Sequence, residues 1–156
     1  MGDRRVRCAL GKGGVRTDKS EGDGATPVGC FPLRLVFYRA DRMGAPTTNL
    51  PVTAIAPDDG WCDDPGHRLY NRPVKLPFEA SHERLWRDDG IYDVIVVLGH
   101  NDDPPRPGLG SAIFLHLARP DFAPTEGCVA LARQDLLDLL RRCRPGDRLC
   151  VADPAA

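Results

Sequence analysis

Residues 91–98 form a nearly continuous apolar run in which Ile91, Val94, Ile95, Val96, Val97 and Leu98 dominate. The run is too short to cross a bilayer and lacks the alternation of a strand with one wet face, so it predicts a strand covered on both sides. A chain built around such a strand must supply an apolar layer to each face. The rest of the sequence offers many short strands for that purpose and little helix. Residues 31–39, 52–56, 68–70, 111–117 and 148–151 read as strands, and Val6, Cys8 and Leu10 alternate with polar residues as in a half-buried strand. Gly (16) and Pro (15) fill about a fifth of the chain, which fits many turns between short strands.

Helical periodicity is clear once, over 133–142, where Leu136, Leu139, Leu140 and Cys143 fall at i, i+3, i+4 and i+7 before Pro145 and Gly146. A second short helix is expected over 80–86, with Ser81 as N-cap and Glu83 in the first turn. His82 would then lie on an exposed helix face or at the rim of a cleft. The expectation is one mainly β domain over 1–156, a sandwich or open barrel with one or two short helices. At 156 residues it can bury a core without disulfides or metal.

The chemistry concentrates at Thr125-Glu126-Gly127-Cys128, twelve positions after His116 closes a strand-like run. A cysteine is mostly protonated near neutral pH, and an imidazole within reach is the usual device for making the attacking thiolate. Gly127 leaves room for substrate beside the sulfur and lets backbone N–H groups turn toward a developing oxyanion. Other motifs are weaker. The Gly11, Gly13, Gly14 cluster lacks the spacing of a phosphate loop. Asp58, Asp59, Asp63 and Asp64 lack the ligand spacing of a calcium loop and read as turn residues. Cys62 and His67 have metal-ligand spacing but no second pair, so neither metal nor cofactor is expected.

The run 110–116 ending at His116, followed by Thr125-Glu126-Gly127-Cys128, resembles the catalytic signature of the YkuD-type L,D-transpeptidases. The segment from Lys19 to Gly29, with Asp23-Gly24-Ala25-Thr26-Pro27-Val28-Gly29 as its turn and Phe31-Pro32-Leu33 after it, resembles that family's Gly-rich loop, and Tyr70-Asn71 and 92–101 resemble its middle strands. The likeness runs in the family's order from about Ala9 to about Val151. It implies that Cys128 attacks the third residue of a peptidoglycan tetrapeptide stem, with His116 as base, to give a thioester that a second stem's amine resolves. It also implies that the Leu117 carbonyl orients His116, that N–H groups of Gly127 and Cys128 hold the oxyanion, and that Thr125 and Glu126 border the substrate. Asn101 and Arg119 are candidates for gripping stem-peptide groups. Two positions depart from the pattern: Glu126 stands where a second histidine is usual, and Ala130 where Arg or Asn often stands. A carboxylate beside the nucleophile disfavours the thiolate unless it is aimed away or paired. The same dyad would serve an L,D-carboxypeptidase or wall hydrolase, and a non-catalytic wall-binding module is the reading from another class. Carbapenem-type inhibitors and a monomeric state are further expectations of the resemblance.

The balance of 21 basic and 22 acidic residues excludes the electrostatic footprint of a nucleic-acid binder. No run is long enough to span a membrane, and the N-terminal residues carry no apolar signal core, which reads as cytoplasmic, whereas the resemblance implies the periplasm or cell envelope. Six cysteines contain no C-x-x-C pair. With Cys128 as nucleophile at most two disulfides remain, and Cys8, Cys30, Cys143 and Cys150 are expected to serve as core packing.

Overall fold

The computed structural model describes residues 3–156. In chain order the strands are β1 (Cys8–Ala9), β2 (Val15–Arg16), β3 (Thr26–Pro27), β4 (Gly29–Tyr38), β5 (Val52–Ala54), β6 (Asp59–Cys62), β7 (Pro73–Lys75), β8 (His82–Arg84), β9 (Val94–Leu98), β10 (Phe114–Leu117) and β11 (Val129–Leu131). The helix α1 (Arg133–Arg142) and the strand β12 (Arg148–Val151) complete the chain. The protein is mainly β, its principal sheet curled into a half-barrel. That sheet runs β1-β11-β10-β9-β4-β12, with β5 paired to β4. A small sheet ordered β7-β6-β8 and the short β2–β3 pair stand apart from it.

Strand β9 occupies the middle of the principal sheet, and all five of its residues are buried. Because strand side chains alternate, its two faces feed two cores. Val94, Val96 and Leu98 join Leu115, Leu117, Val129 and Leu131 in one, which α1 covers with Leu136 and Leu140, both fully buried. Ile95 and Val97 join Phe114, Trp61, Leu85, Tyr92 and Cys128 in the other. A register shift between Leu33 and Leu35 in β4 changes the phase of that strand. Phe31, Leu33 and Val36 therefore face the helix side, while Leu35 and Phe37 pack on the other. The helix seals one face of the sheet and leaves the Cys128 face to the small sheet.

Several expectations change. The helix expected over 80–86 is instead β8, because Gly60, Trp61 and Cys62 of β6 pair with Arg84, Glu83 and His82. Cross-strand pairing satisfies that backbone and overrides the local capping signal of Ser81 and Glu83. Residues 68–70 form a turn, closed by Tyr70 N–H on the His67 carbonyl at 3.0 Å. In β1 it is Ala9 that is buried, whereas Cys8 and Val6 are exposed; of the three residues expected inward, Leu10 alone packs on the core. Cys30 and Cys150 are exposed rather than core residues; they sit directly opposite each other on β4 and β12 and form a disulfide. Their neighbours Phe31, Leu149 and Val151 take the inward positions, so alternation sends both thiols outward. Cys143 is buried at the end of α1, as its helical spacing predicts.

Candidate active site

Strands β10 and β11 run parallel, with His116 opposite Ala130. Cys128 immediately precedes β11 and shares a face with Ala130, so it lies diagonally from His116 across the strand pair. Diagonal neighbours of this kind are roughly 7–8 Å apart at the backbone, near enough for side chains to converge. Both residues border one cavity of about 460 Å³. Because the strands are parallel, the connection from Leu117 must return along the sheet before β11 can begin, and its returning limb carries Thr125 to Cys128.

That limb is fixed by short local bonds. Thr125 donates its hydroxyl to the Cys128 carbonyl at 2.6 Å, and its oxygen accepts the Gly127 N–H at 3.1 Å. Thr125 also pairs through its backbone with Leu10 and Lys12. Gly127 has φ +134°, and a Cβ there would lie 2.8 Å from the Ala25 carbonyl oxygen. Glycine is thus required by backbone conformation and by contact with the Gly-rich loop. The Gly127 N–H, assigned from sequence to the oxyanion, is already committed to Thr125 in this arrangement.

The Cys128 thiol donates to the Ala112 carbonyl at 3.3 Å and accepts the Phe114 N–H at 3.4 Å. Burial pushes its pKa up to about 12; the Glu83 charge adds to the rise, while the Phe114 N–H, the Lys19 charge and a hydrogen bond from Tyr92 oppose it. Burial also lowers His116 to about 4. At rest the Cys128 thiol and the His116 imidazole are therefore both neutral. Nδ1 of His116 lies 3.0 Å from the Leu117 carbonyl. A carbonyl only accepts, so Nδ1 carries the proton and Nε2 keeps the free lone pair of a base.

The remaining site residues named from sequence fall in different places. Glu126 borders the cavity at its exposed rim and pairs with Lys12 at 2.8 Å, so its carboxylate is balanced. Arg119 borders the cavity and reaches Asp89 at 3.2 Å. Asn101 borders a separate depression. Its side chain bonds the Arg106 and Gly110 carbonyls and the Arg106 N–H, spanning its own loop. Cys62 is fully buried, and His67 turns instead to Glu79 at 2.9 Å.

Sequence reading missed four contributors. Asn71, with φ 56°, is buried and bonds four groups: the Trp61 indole N–H at 2.9 Å, the Ala112 N–H at 3.0 Å, and the His100 and Asn101 carbonyls at 3.0 and 2.7 Å. It thereby fixes the residue whose carbonyl holds the thiol. Tyr92 sets its ring edgewise against His116, 5.2 Å between centroids, and bonds Glu83 through its hydroxyl. Glu83 borders the cavity, and burial raises its pKa to about 7 despite the opposing Tyr92 bond and Arg87 charge. The acidic group that shares the thiol's cavity from the small sheet is Glu83, whereas Glu126 in the adjacent sequence is held by Lys12. The Gly-rich loop contributes Lys19, nearly buried and paired with Asp23, whose carboxylate also accepts the Ser20 and Ala25 N–H groups.

A family model described as the L,D-transpeptidase catalytic domain, YkuD, matches residues 2–151. No curated protein and no solved structure matches the chain in the corresponding comparisons.

Proposed function

The chain belongs to the L,D-transpeptidase catalytic domain family, and from that premise we propose that it cross-links peptidoglycan stem peptides through a Cys128 thioester. The observation that carries the reading is the pairing at one cavity of a cysteine with an imidazole whose Nδ1 is held by the Leu117 carbonyl. Nε2 is left free to take the thiol proton.

The resting thiol points its proton at Ala112, so the reaction begins by redirecting it. With the donor stem bound, the S–H turns from the Ala112 carbonyl toward His116 Nε2. The proton passes to the imidazole as sulfur attacks the carbonyl of the third stem residue. Because the neutral forms are strongly favoured at rest, transfer accompanies attack rather than preceding it as a standing ion pair. The tetrahedral adduct collapses when the imidazolium returns its proton to the leaving amine, which departs as D-alanine. A second stem's amine then attacks the thioester, again losing its proton to His116, and the thiol is restored. The scheme is ping-pong. Thr125 keeps Cys128 in register, and Arg119 at the cavity edge suits a stem carboxylate.

The Cys30–Cys150 disulfide supports placing this chemistry in an oxidising compartment such as the cell envelope. No helix of the described residues is long and apolar enough to cross a membrane. The test is incubation with a disaccharide-tetrapeptide and mass analysis of the products. A cross-linked dimer lacking one D-alanine supports the transpeptidase; free tripeptide alone replaces it with the carboxypeptidase, and unchanged substrate favours a wall-binding module.

A further inference from the structure

Glu83 reaches the thiol from outside the catalytic sheet. It lies on β8 of the small sheet, opposite Trp61, and borders the cavity that Tyr92, His116 and Cys128 also border. Its carboxyl bonds the hydroxyl of Tyr92, a residue only 5 % exposed. Tyr92 has little freedom to move: its ring lies edgewise on Phe114 at 6.0 Å and on His116 at 5.2 Å, with the Arg87 guanidinium 5.3 Å from its centroid. Tyr92 and Cys128 belong to the same buried cluster and border the same cavity, and Phe114, on which the Tyr92 ring rests, donates its N–H to the Cys128 sulfur. A phenol has one proton to donate, so a Tyr92 hydroxyl held by the Glu83 carboxylate has none to offer the sulfur.

We propose that Glu83 and Tyr92 form a switchable hydrogen-bond pair that sets the nucleophilicity of Cys128. When Glu83 is neutral, its O–H donates to the Tyr92 oxygen and frees the phenolic proton for the sulfur, which favours the thiolate. When Glu83 is ionised, the Tyr92 O–H donates to the carboxylate instead. The sulfur then loses a donor and gains a negative neighbour. Both effects oppose the thiolate.

The charged and titratable groups facing Glu83 are Arg87 beyond β8, Asp63 beyond β6, Glu21 of the Gly-rich loop, Tyr92 and Cys128. Arg87 favours the ionised form, Asp63 and Glu21 oppose it, and burial outweighs the remainder, placing the transition near pH 7. Lys19 faces the sulfur from the Gly-rich loop and favours the thiolate in either state. Tyr92 is on this account a positioning residue, and Glu83 acts through it and through its charge.

The inference rests on Cys128 as the nucleophile of the proposed reaction, but its test reads the thiol itself and needs no turnover. Iodoacetamide alkylation of Cys128 is followed by peptide mass mapping, which separates it from the exposed Cys8, from about pH 5 to about pH 9. An isolated thiol far below its pKa gives a log rate that rises with unit slope. The wild type is expected to flatten as Glu83 ionises through about pH 7. In Glu83→Gln the flattening disappears, and the rate above that pH exceeds wild type by about threefold to tenfold for each pK unit relieved. In Tyr92→Phe the rate falls below that transition, and adding Glu83→Gln recovers only the charge contribution. A wild-type profile of unit slope through pH 7 overturns the proposal without any variant. So does a folded Glu83→Gln protein whose profile matches wild type. Loss of peptide cross-linking with these thiol profiles intact would instead indict the proposed reaction.

Discussion

Replacing Asn71 with alanine should destabilise the protein by about 4 kcal/mol. Four groups lose their partner: the Trp61 indole N–H, the Ala112 N–H, and the His100 and Asn101 carbonyls. At about 1 kcal/mol net per bond the sum is about 4 kcal/mol. Alanine at the left-handed φ of 56° adds about 1 kcal/mol, and water entering the vacated space offsets a similar amount. The assay is urea unfolding followed by tryptophan fluorescence, since Trp61 is itself a partner. With a slope of about 2 kcal/mol/M the midpoint should fall by about 2 M. Asn49→Ala is the control, because that exposed side chain makes a single 3.5 Å bond to Cys143, and its effect should stay within about 0.5 kcal/mol. A midpoint shift for Asn71→Ala no larger than that of the control would refute the view that this side chain ties the Ala112 segment to the small sheet.

Further outcomes follow from the ionisable groups and cross-links. Glu83 is raised from 4.5 to about 7, so its contribution favours folding at low pH and is lost as pH rises through about 7; His116, lowered from 6.5 to about 4, contributes fully above 6.5 and loses its contribution as pH falls through about 4. Glu83→Gln should therefore gain about 3 kcal/mol relative to wild type between pH 4.5 and about pH 8, read by urea unfolding at each pH. Reducing the Cys30–Cys150 disulfide, which spans a sequence separation of 120, should cost up to about 4.9 kcal/mol, seen as a lower melting temperature in reductant. Arg39→Lys should cost about 2 kcal/mol in the same urea assay. It removes a paired fork on Asp41, a bond to the Arg87 carbonyl and a guanidinium lying 3.5 Å over Trp86.

Alternation made the central architecture legible in the sequence. The apolar run 91–98 announced a strand buried on both faces, and the spacing of Leu136 and Leu140 announced the helix that covers one of them. The same rule put His116 on the face of Phe114. It misled where the phase depended on partners distant in sequence. Cys8, Cys30 and Cys150 were read inward because apolar-looking residues usually are, whereas pairing with β11 and between β4 and β12 turned them outward. Residues 80–86 carry a genuine helix-start signal, and only the presence of β6 beside them makes a strand. Adjacency in sequence also pointed to Glu126 as the charge beside the nucleophile. The fold turns it toward Lys12 and brings Glu83 across from another sheet. A carboxylate delivered by tertiary packing leaves no local signature. A Glu at a strand position opposite a Trp was the only trace available.

The most direct test of the account is the intact mass of the wild type and of Cys128→Ala after exposure to a disaccharide-tetrapeptide, quenched in acid during turnover. The wild type should gain the mass of the donor less D-alanine, mapped to Cys128, and the variant, still folded, should gain nothing. Acylation of the Cys128→Ala protein, or wild type that consumes the tetrapeptide with no thioester on Cys128, would contradict it.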